Sequence, residues 1–286
     1  MIRIHSASLA ATINPLGAEL SSLTDAEGRE LMTDADPAFW TGRAPLLFPI
    51  VGRLNGDVLR VDGVERPMRQ HGFARRSDWT VIDAGDNSVT LRLTDSEATR
   101  AAYPFAFDLS VRYAIEEATL ATIVRAANPG DAPVPMSFGF HPAFAWPLPY
   151  GRAREDHRIV FEADEAATIT RLEQGLFAGS RPSPLDGRVL ALSDALFADD
   201  ALIWSPVASQ SVRYGAGDGP QLRVDFPDTP HLGIWTQPGA HFVCIEPWHG
   251  HADPAGFTGD IREKPGMFEL APGADWQCTM RVTLDT

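Results

Sequence analysis

The sequence contains almost no lysine. Lys264 is the only one among 24 basic residues in a chain of 286, so every other basic side chain is an arginine. Schiff-base or pyridoxal chemistry would have to use that one residue. Glu263 and Pro265 flank it, which excludes the G-K-[ST] end of a phosphate-binding P-loop. Cysteine is scarce too. Cys244 and Cys278 make no disulfide framework, and both read as buried thiols of a reducing cytoplasm, with a Cys244 nucleophile as the alternative. No run of about 18 apolar residues occurs, so no transmembrane helix is expected. The opening Met1-Ile2-Arg3-Ile4-His5 lacks the basic and then apolar pattern of a signal peptide; a cytoplasmic location is the expectation. Positive charge is in deficit: 38 acidic residues against 24 basic give −14, which argues against nucleic acid or an anionic membrane as partner.

What is present is the pattern of a large β protein. A chain of this length buries a core without disulfide or metal staples. Hydrophobic residues at 44% and charged residues at 22% exclude a disordered or fibrous chain. The dominant period is two. Phe107, Leu109, Val111, Tyr113 and Ile115 share one face, and Asp108, Ser110 and Arg112 the other, as in an antiparallel strand with one wet side. Leu222, Val224 and Phe226 repeat the pattern, as do Cys278, Met280, Val282 and Leu284. Further strands are predicted at 2–5, 9–13, 88–94, 119–126, 158–162, 201–204, 211–214 and 241–246, and short helical turns near 36–40, 97–102 and 194–198. Turn signals such as Asn128-Pro129-Gly130-Asp131 separate the strands. The glycines at 215–219 do not fit G-x-G-x-x-G, and the order is not βαβα. The sequence therefore reads as one all-β domain spanning residues 1–286, a sandwich or barrel.

Several residues have the chemistry of a site. Glu246 ends an apolar strand and is followed by Pro247 and Trp248. Burial there would raise its pKa toward that of a general base working near neutrality; a strand-end glutamate in solvent is the other reading. His141 lies among Phe138, Phe140 and Phe144. As a general acid it would need a nearby carboxylate, because apolar neighbours lower an imidazole's pKa; otherwise it is a core histidine. His71 precedes Gly72, where a positive φ or a close backbone approach is expected. Arg53 either pairs with a carboxylate or presents its fork to ligand oxygens. Asp199 and Asp200 are candidate acceptors for sugar hydroxyls. His249-Gly250-His251 with Asp253 calls for a metal test, but Gly250 breaks the strand and no third histidine stands at a recognisable spacing, so no metal is expected. The seven tryptophans suit stacking on a sugar's C–H face and equally suit a core.

Taken in order, these segments resemble the aldose 1-epimerase (mutarotase) family. The resemblance runs through Gly17-Ala18-Glu19-Leu20, Pro45-Leu46-Leu47-Phe48-Pro49, Gly52-Arg53-Leu54, His71-Gly72-Phe73, Phe140-His141-Pro142, Glu246-Pro247-Trp248, Lys264-Pro265-Gly266 and Leu270-Ala271-Pro272-Gly273. It implies a large antiparallel β-supersandwich with one sugar cleft. It also implies Glu246 as general base, His141 as general acid, and His71, Arg53 and Asp200 as sugar-binding residues, with Asp199 the alternative to Asp200. No cofactor is implied, and the partner is a small aldohexose, bound by a monomer or homodimer. The Gly-Arg-Leu and Glu-Pro-Trp contexts resemble a shorter branch of the family, so galactose is not carried over. The alternatives are a hexose-6-phosphate 1-epimerase gripping phosphate through Arg75 and Arg76, a sugar-binding regulator without turnover, and a two-carboxylate glycosidase.

Overall fold

The alternating segments assemble into two large antiparallel sheets. The computed structural model describes all residues, 1–286. One sheet has nine strands, in spatial order Val189–Ala191, His157–Phe161, Ser211–Ala216, Gln221–Asp225, Asp275–Asp285, Thr119–Ala127, Asp108–Glu116, Ser88–Thr94 and Thr80–Ala84. The other has eight, with Phe242–His249 near its middle between His231–Trp235 on one side and Phe138–Phe140 and Ala143–Ala145 on the other. A three-stranded sheet of Ile2–His5, Leu9–Asn14 and Glu19–Asp25 adds to these. The architecture is all-β and antiparallel, as expected.

Alternation decides which face packs. In Asp108–Glu116, Leu109, Val111, Tyr113 and Ile115 are all buried. They join one apolar cluster of 62 residues that reaches from Ile4 to Leu284 and takes in Phe138, Phe140, Val243 and Ile245 of the other sheet. Buried tyrosine hydroxyls find carbonyl partners, as burial demands: Tyr113 donates to Ala18 O at 2.7 Å and Tyr103 to Pro135 O at 2.7 Å. The predicted turn at 97–102 is a helix, Glu97–Ala102, closed by a Ser96–Thr99 capping box. The turn near 194–198 is a 3₁₀ helix, Asp194–Phe197. Residues 36–40 form a turn without a helix. No helix is long and apolar enough to cross a membrane.

The strand Phe242–His249 positions the chemistry. Val243 and Ile245 point into the 62-residue cluster. The period of two then turns Cys244, Glu246 and Trp248 to the opposite face. Gly139 is registered with Trp248, and Ala143 with Cys244. The same register sets His141 directly opposite Glu246, at the break between the two short strands. Pro247, which has no N–H to donate, therefore lies where the ladder is already interrupted on that side.

Candidate active site

A cavity of about 250 Å³ opens above this strand pair, lined by Glu246, His141, His71, Arg75, Gln70 and Asp200 among polar groups. Trp40, Trp235, Trp248 and Phe177 give it aromatic walls. Glu246 and His141 are 2% and 7% exposed, and His141 Nε2 stands 3.2 Å from Glu246 Oε2. The carboxyl group beside His141 is thus that of Glu246.

Burial acts on the two partners in opposite directions. It pushes the Glu246 carboxyl well above the usual carboxylate range, with the nearby charge of Asp200 adding to the effect and Arg75 and the Trp248 indole opposing it. It pushes His141 down to about 3, and Arg75 pushes the same way. The form without charges, a protonated carboxyl beside a neutral imidazole, is favoured in the free site. Carboxylate plus imidazolium holds the same number of protons. The pair is therefore a one-proton unit that can exist in two arrangements.

The surrounding residues hold this pair. His71 has φ +66° and Gly72 φ +70°. A Cβ on Gly72 would meet Phe48 O at 2.1 Å, so the chain passes too close for any other residue. His71 Nδ1 accepts from the Gly52 N–H at 3.1 Å. That bond assigns the ring proton to Nε2, and burial keeps the ring neutral. His71 packs edge-on to His141 with centroids 5.6 Å apart. The Trp40 ring lies 4.9 Å from that of His141 on another side. Asp200 lines the cavity with φ +74°, whereas the Asp199 side chain is 85% exposed and lies 3.9 Å from Arg181.

Arg53, which the resemblance implies as a sugar-binding residue, is not among the residues that line the cavity. Its fork is occupied by both oxygens of Asp57, at 2.8 Å each, and by Gln174 O at 3.2 Å. It stands behind Gly175 at the rim and does not line the cavity. Gln70 and Arg75, either side of His71-Gly72-Phe73, also line the cavity, although the sequence pattern points to neither as a sugar contact in the main reading. The signal was available in Gln70-His71-Gly72-Phe73-Ala74-Arg75, because a turn this tight brings both ends of the segment to one place.

The stretch selected for a metal test does not converge. His249 stacks on Phe268 at 4.3 Å, and His251 on Phe177 at 4.4 Å. Asp253 accepts from the Asn55 N–H at 2.8 Å and lies 3.8 Å from Lys264 Nζ. The Lys264 side chain is fully buried and donates to the carbonyls of His251 and Pro265. This network holds the wall of the cavity. Asp253 N donates to Arg53 O, Phe177 N donates to Asp253 O, and Gly52 and Ala252 approach so closely that a Cβ on Gly52 would meet Ala252 at 2.6 Å.

A larger hollow of about 600 Å³ lies on the nine-stranded sheet, where Arg213 pairs with Asp285 and Arg223 with Asp225. It contains nothing like the Glu246–His141 unit.

Known proteins agree with the fold. A sequence profile for aldose 1-epimerases matches residues 1–264. The plasmid-encoded protein LacX of Lactococcus lactis subsp. lactis is 31% identical over 283 residues, covering 95% of each chain. A galactose mutarotase related enzyme from Lactobacillus acidophilus superposes with a TM-score of 0.93 at 33% identity, covering 99% of this chain and 97% of its own. A galactose mutarotase-like protein from Lactobacillus casei gives a TM-score of 0.93 at 30% identity, with both chains covered completely. The chain belongs to the aldose 1-epimerase family.

Proposed function

We propose that the protein interconverts the α and β anomers of an aldohexose, as a single cytoplasmic unit spanning residues 1–286. The observation that carries this reading is the buried Glu246–His141 pair, 3.2 Å apart, at the floor of a cavity that suits one monosaccharide. In the carboxylate–imidazolium arrangement, Glu246 takes the proton of the anomeric hydroxyl while His141 gives one to the ring oxygen. The C1–O5 bond breaks and an aldehyde forms. The C1–C2 bond rotates. Glu246 then returns its proton to O1 as O5 attacks the other face of C1 and yields its own proton to His141. The pair begins and ends in the same state, and no electron leaves the sugar. Each positioned acid or base contributes roughly 10²–10⁴-fold.

His71 offers its Nε2–H to the sugar, Asp200 accepts from a hydroxyl, and the indoles cover the C–H faces. Arg53, with its fork on Asp57, shapes the rim. Polarimetry of freshly dissolved α-glucose and α-galactose tests the reading: equilibration is expected to accelerate with added protein and saturate with sugar. Saturable binding with no acceleration would make the protein a sugar-binding regulator instead, and release of reducing sugar from a glycoside would make it a glycosidase.

One observation favours a second reading, an aldose carrying an anionic group such as a 6-phosphate. The Arg75 guanidinium lines the cavity in the field of Glu19 and Glu246 without pairing directly with either. Arg76 does not complete a grip, since it donates to Gly72 O at 3.0 Å. Comparing kcat/KM for glucose and glucose 6-phosphate decides between the two.

A further inference from the structure

The strand that carries Glu246 places another reactive side chain next to it. Cys244 is two residues earlier on the same face, a free thiol with no exposed surface. It is registered with Ala143, two residues past His141. One ligand atom from each of Cys244, His141 and Glu246 lies within 4.8 Å of the other two. No other three His, Cys, Asp or Glu side chains in the chain converge in this way. The proposed epimerisation uses the imidazole and the carboxylate and gives the thiol no part.

We propose that Cys244, His141 and Glu246 form a binding site for a soft divalent cation, zinc above all, and that the metal excludes the sugar. The exclusion rests on the proposed function; the binding does not. Sulfur, imidazole nitrogen and carboxylate oxygen are the three donor types of zinc sites, and three protein ligands with a fourth position open to a cavity is a common arrangement. Bond lengths of about 2.0–2.3 Å put the ligands of a tetrahedral ion about 3.6 Å apart. The His141–Glu246 contact is already 3.2 Å, so small side-chain rotations close the set. Harder cations such as magnesium and calcium prefer six or more oxygen ligands and find no such shell here.

Charge supports the assignment. A zinc ion with one thiolate and one carboxylate is neutral as a unit. Binding expels the thiol proton and any proton on the carboxyl, so affinity rises with pH. Of the other charged groups at the cavity, Asp200 favours the ion and Arg75 opposes it.

Cobalt(II) is the probe for binding. Stoichiometric cobalt added to the metal-free protein is expected to produce a thiolate-to-cobalt charge-transfer band in the near ultraviolet. Cys244→Ala and the near-isosteric Cys244→Ser are expected to abolish it, with folding of each checked by circular dichroism. In the anomer assay, micromolar zinc is expected to inhibit competitively with sugar, and a chelator to reverse it. Both variants should keep their turnover and need at least tenfold more zinc for the same inhibition. Absence of the cobalt band in the wild type overturns the site. Equal zinc sensitivity of wild type and variants also overturns it, placing the inhibitory metal on other groups. The cobalt measurement uses no sugar, so its failure is distinct from failure of the epimerase reading.

Discussion

Two histidine-rich regions meet at the end of the strand Phe242–His249, and they differ in what their polar residues border. On one side, His141, His71 and Glu246 border a cavity, and His141 Nδ1 and Trp248 Nε1 are buried without a hydrogen-bond partner. On the other, His249 and His251 are stacked on aromatic rings, while Lys264 and Asp253 face each other in the wall. The residue types are nearly the same. The residues of the first region line an opening that a ligand can enter. In the second, His249 Nδ1 and Asp253 Oδ1 are likewise buried without a partner, but neither residue lines the cavity. Buried ionisable groups by themselves therefore do not mark a site; access does.

The strongest test of this contrast is Glu246→Gln. The amide cannot take a proton, so kcat for anomer exchange should fall about 10²–10⁴-fold with little change in stability. An activity near that of the wild type would break the contrast. In the second region the largest effect is on folding. Lys264→Met leaves Asp253 charged and unpaired inside the protein, at a cost of about 3–5 kcal/mol, read from urea unfolding. Lys264→Met combined with Asp253→Asn should recover much of that loss. A double variant no more stable than the single would show that the pair is not the unit.

The pH profile sharpens the comparison. The Glu246–His141 unit works while it holds one proton. Burial lowers His141 to about 3, so a second proton is added only toward that pH, and the acid limb of kcat/KM should fall there. The alkaline limb marks loss of the single proton. Because burial raises Glu246, that limb lies well above the ordinary carboxylate range. A profile falling with a midpoint near 4.5 would place Glu246 in solvent instead. A smaller effect is expected at Asp200. Its φ of +74° is unfavourable for any residue with a Cβ. Asp200→Gly should stabilise the fold by up to about 1 kcal/mol while raising KM for the sugar.

The long strands were legible because one face of each is buried. Ser88–Thr94 and Thr119–Ala127 alternate cleanly and fall within one residue of where the period of two puts them. Thr80–Ala84 is exposed throughout, and Leu176–Pro182 is nowhere fully buried. Neither has the contrast between faces on which such a reading depends. Phe138–Phe140 is buried on both faces and interrupted by Gly139, which hides the period in the opposite way. In the site, Glu246 and His141 stood out because ionisable groups in apolar surroundings are conspicuous in any sequence. The partner of Arg53 did not. Asp57 reaches it across a short 3₁₀ turn in which Gly56 has φ +73°, and no periodic pattern signals that geometry. Arg75 was hidden by its neighbour Arg76, because nothing local tells which of two adjacent arginines faces inward.

The burial of Lys264 gives the chain an unusual chemical surface. Its amine is held on two backbone carbonyls with no exposed side-chain area, and every other side-chain cation is a guanidinium or an imidazole. Reagents that acylate primary amines therefore meet no accessible side-chain amine while the protein is folded. Lys264 becomes available only when the wall behind the cavity opens. The rate at which it is acylated is then a clock for that opening, built into the sequence by the near absence of one amino acid.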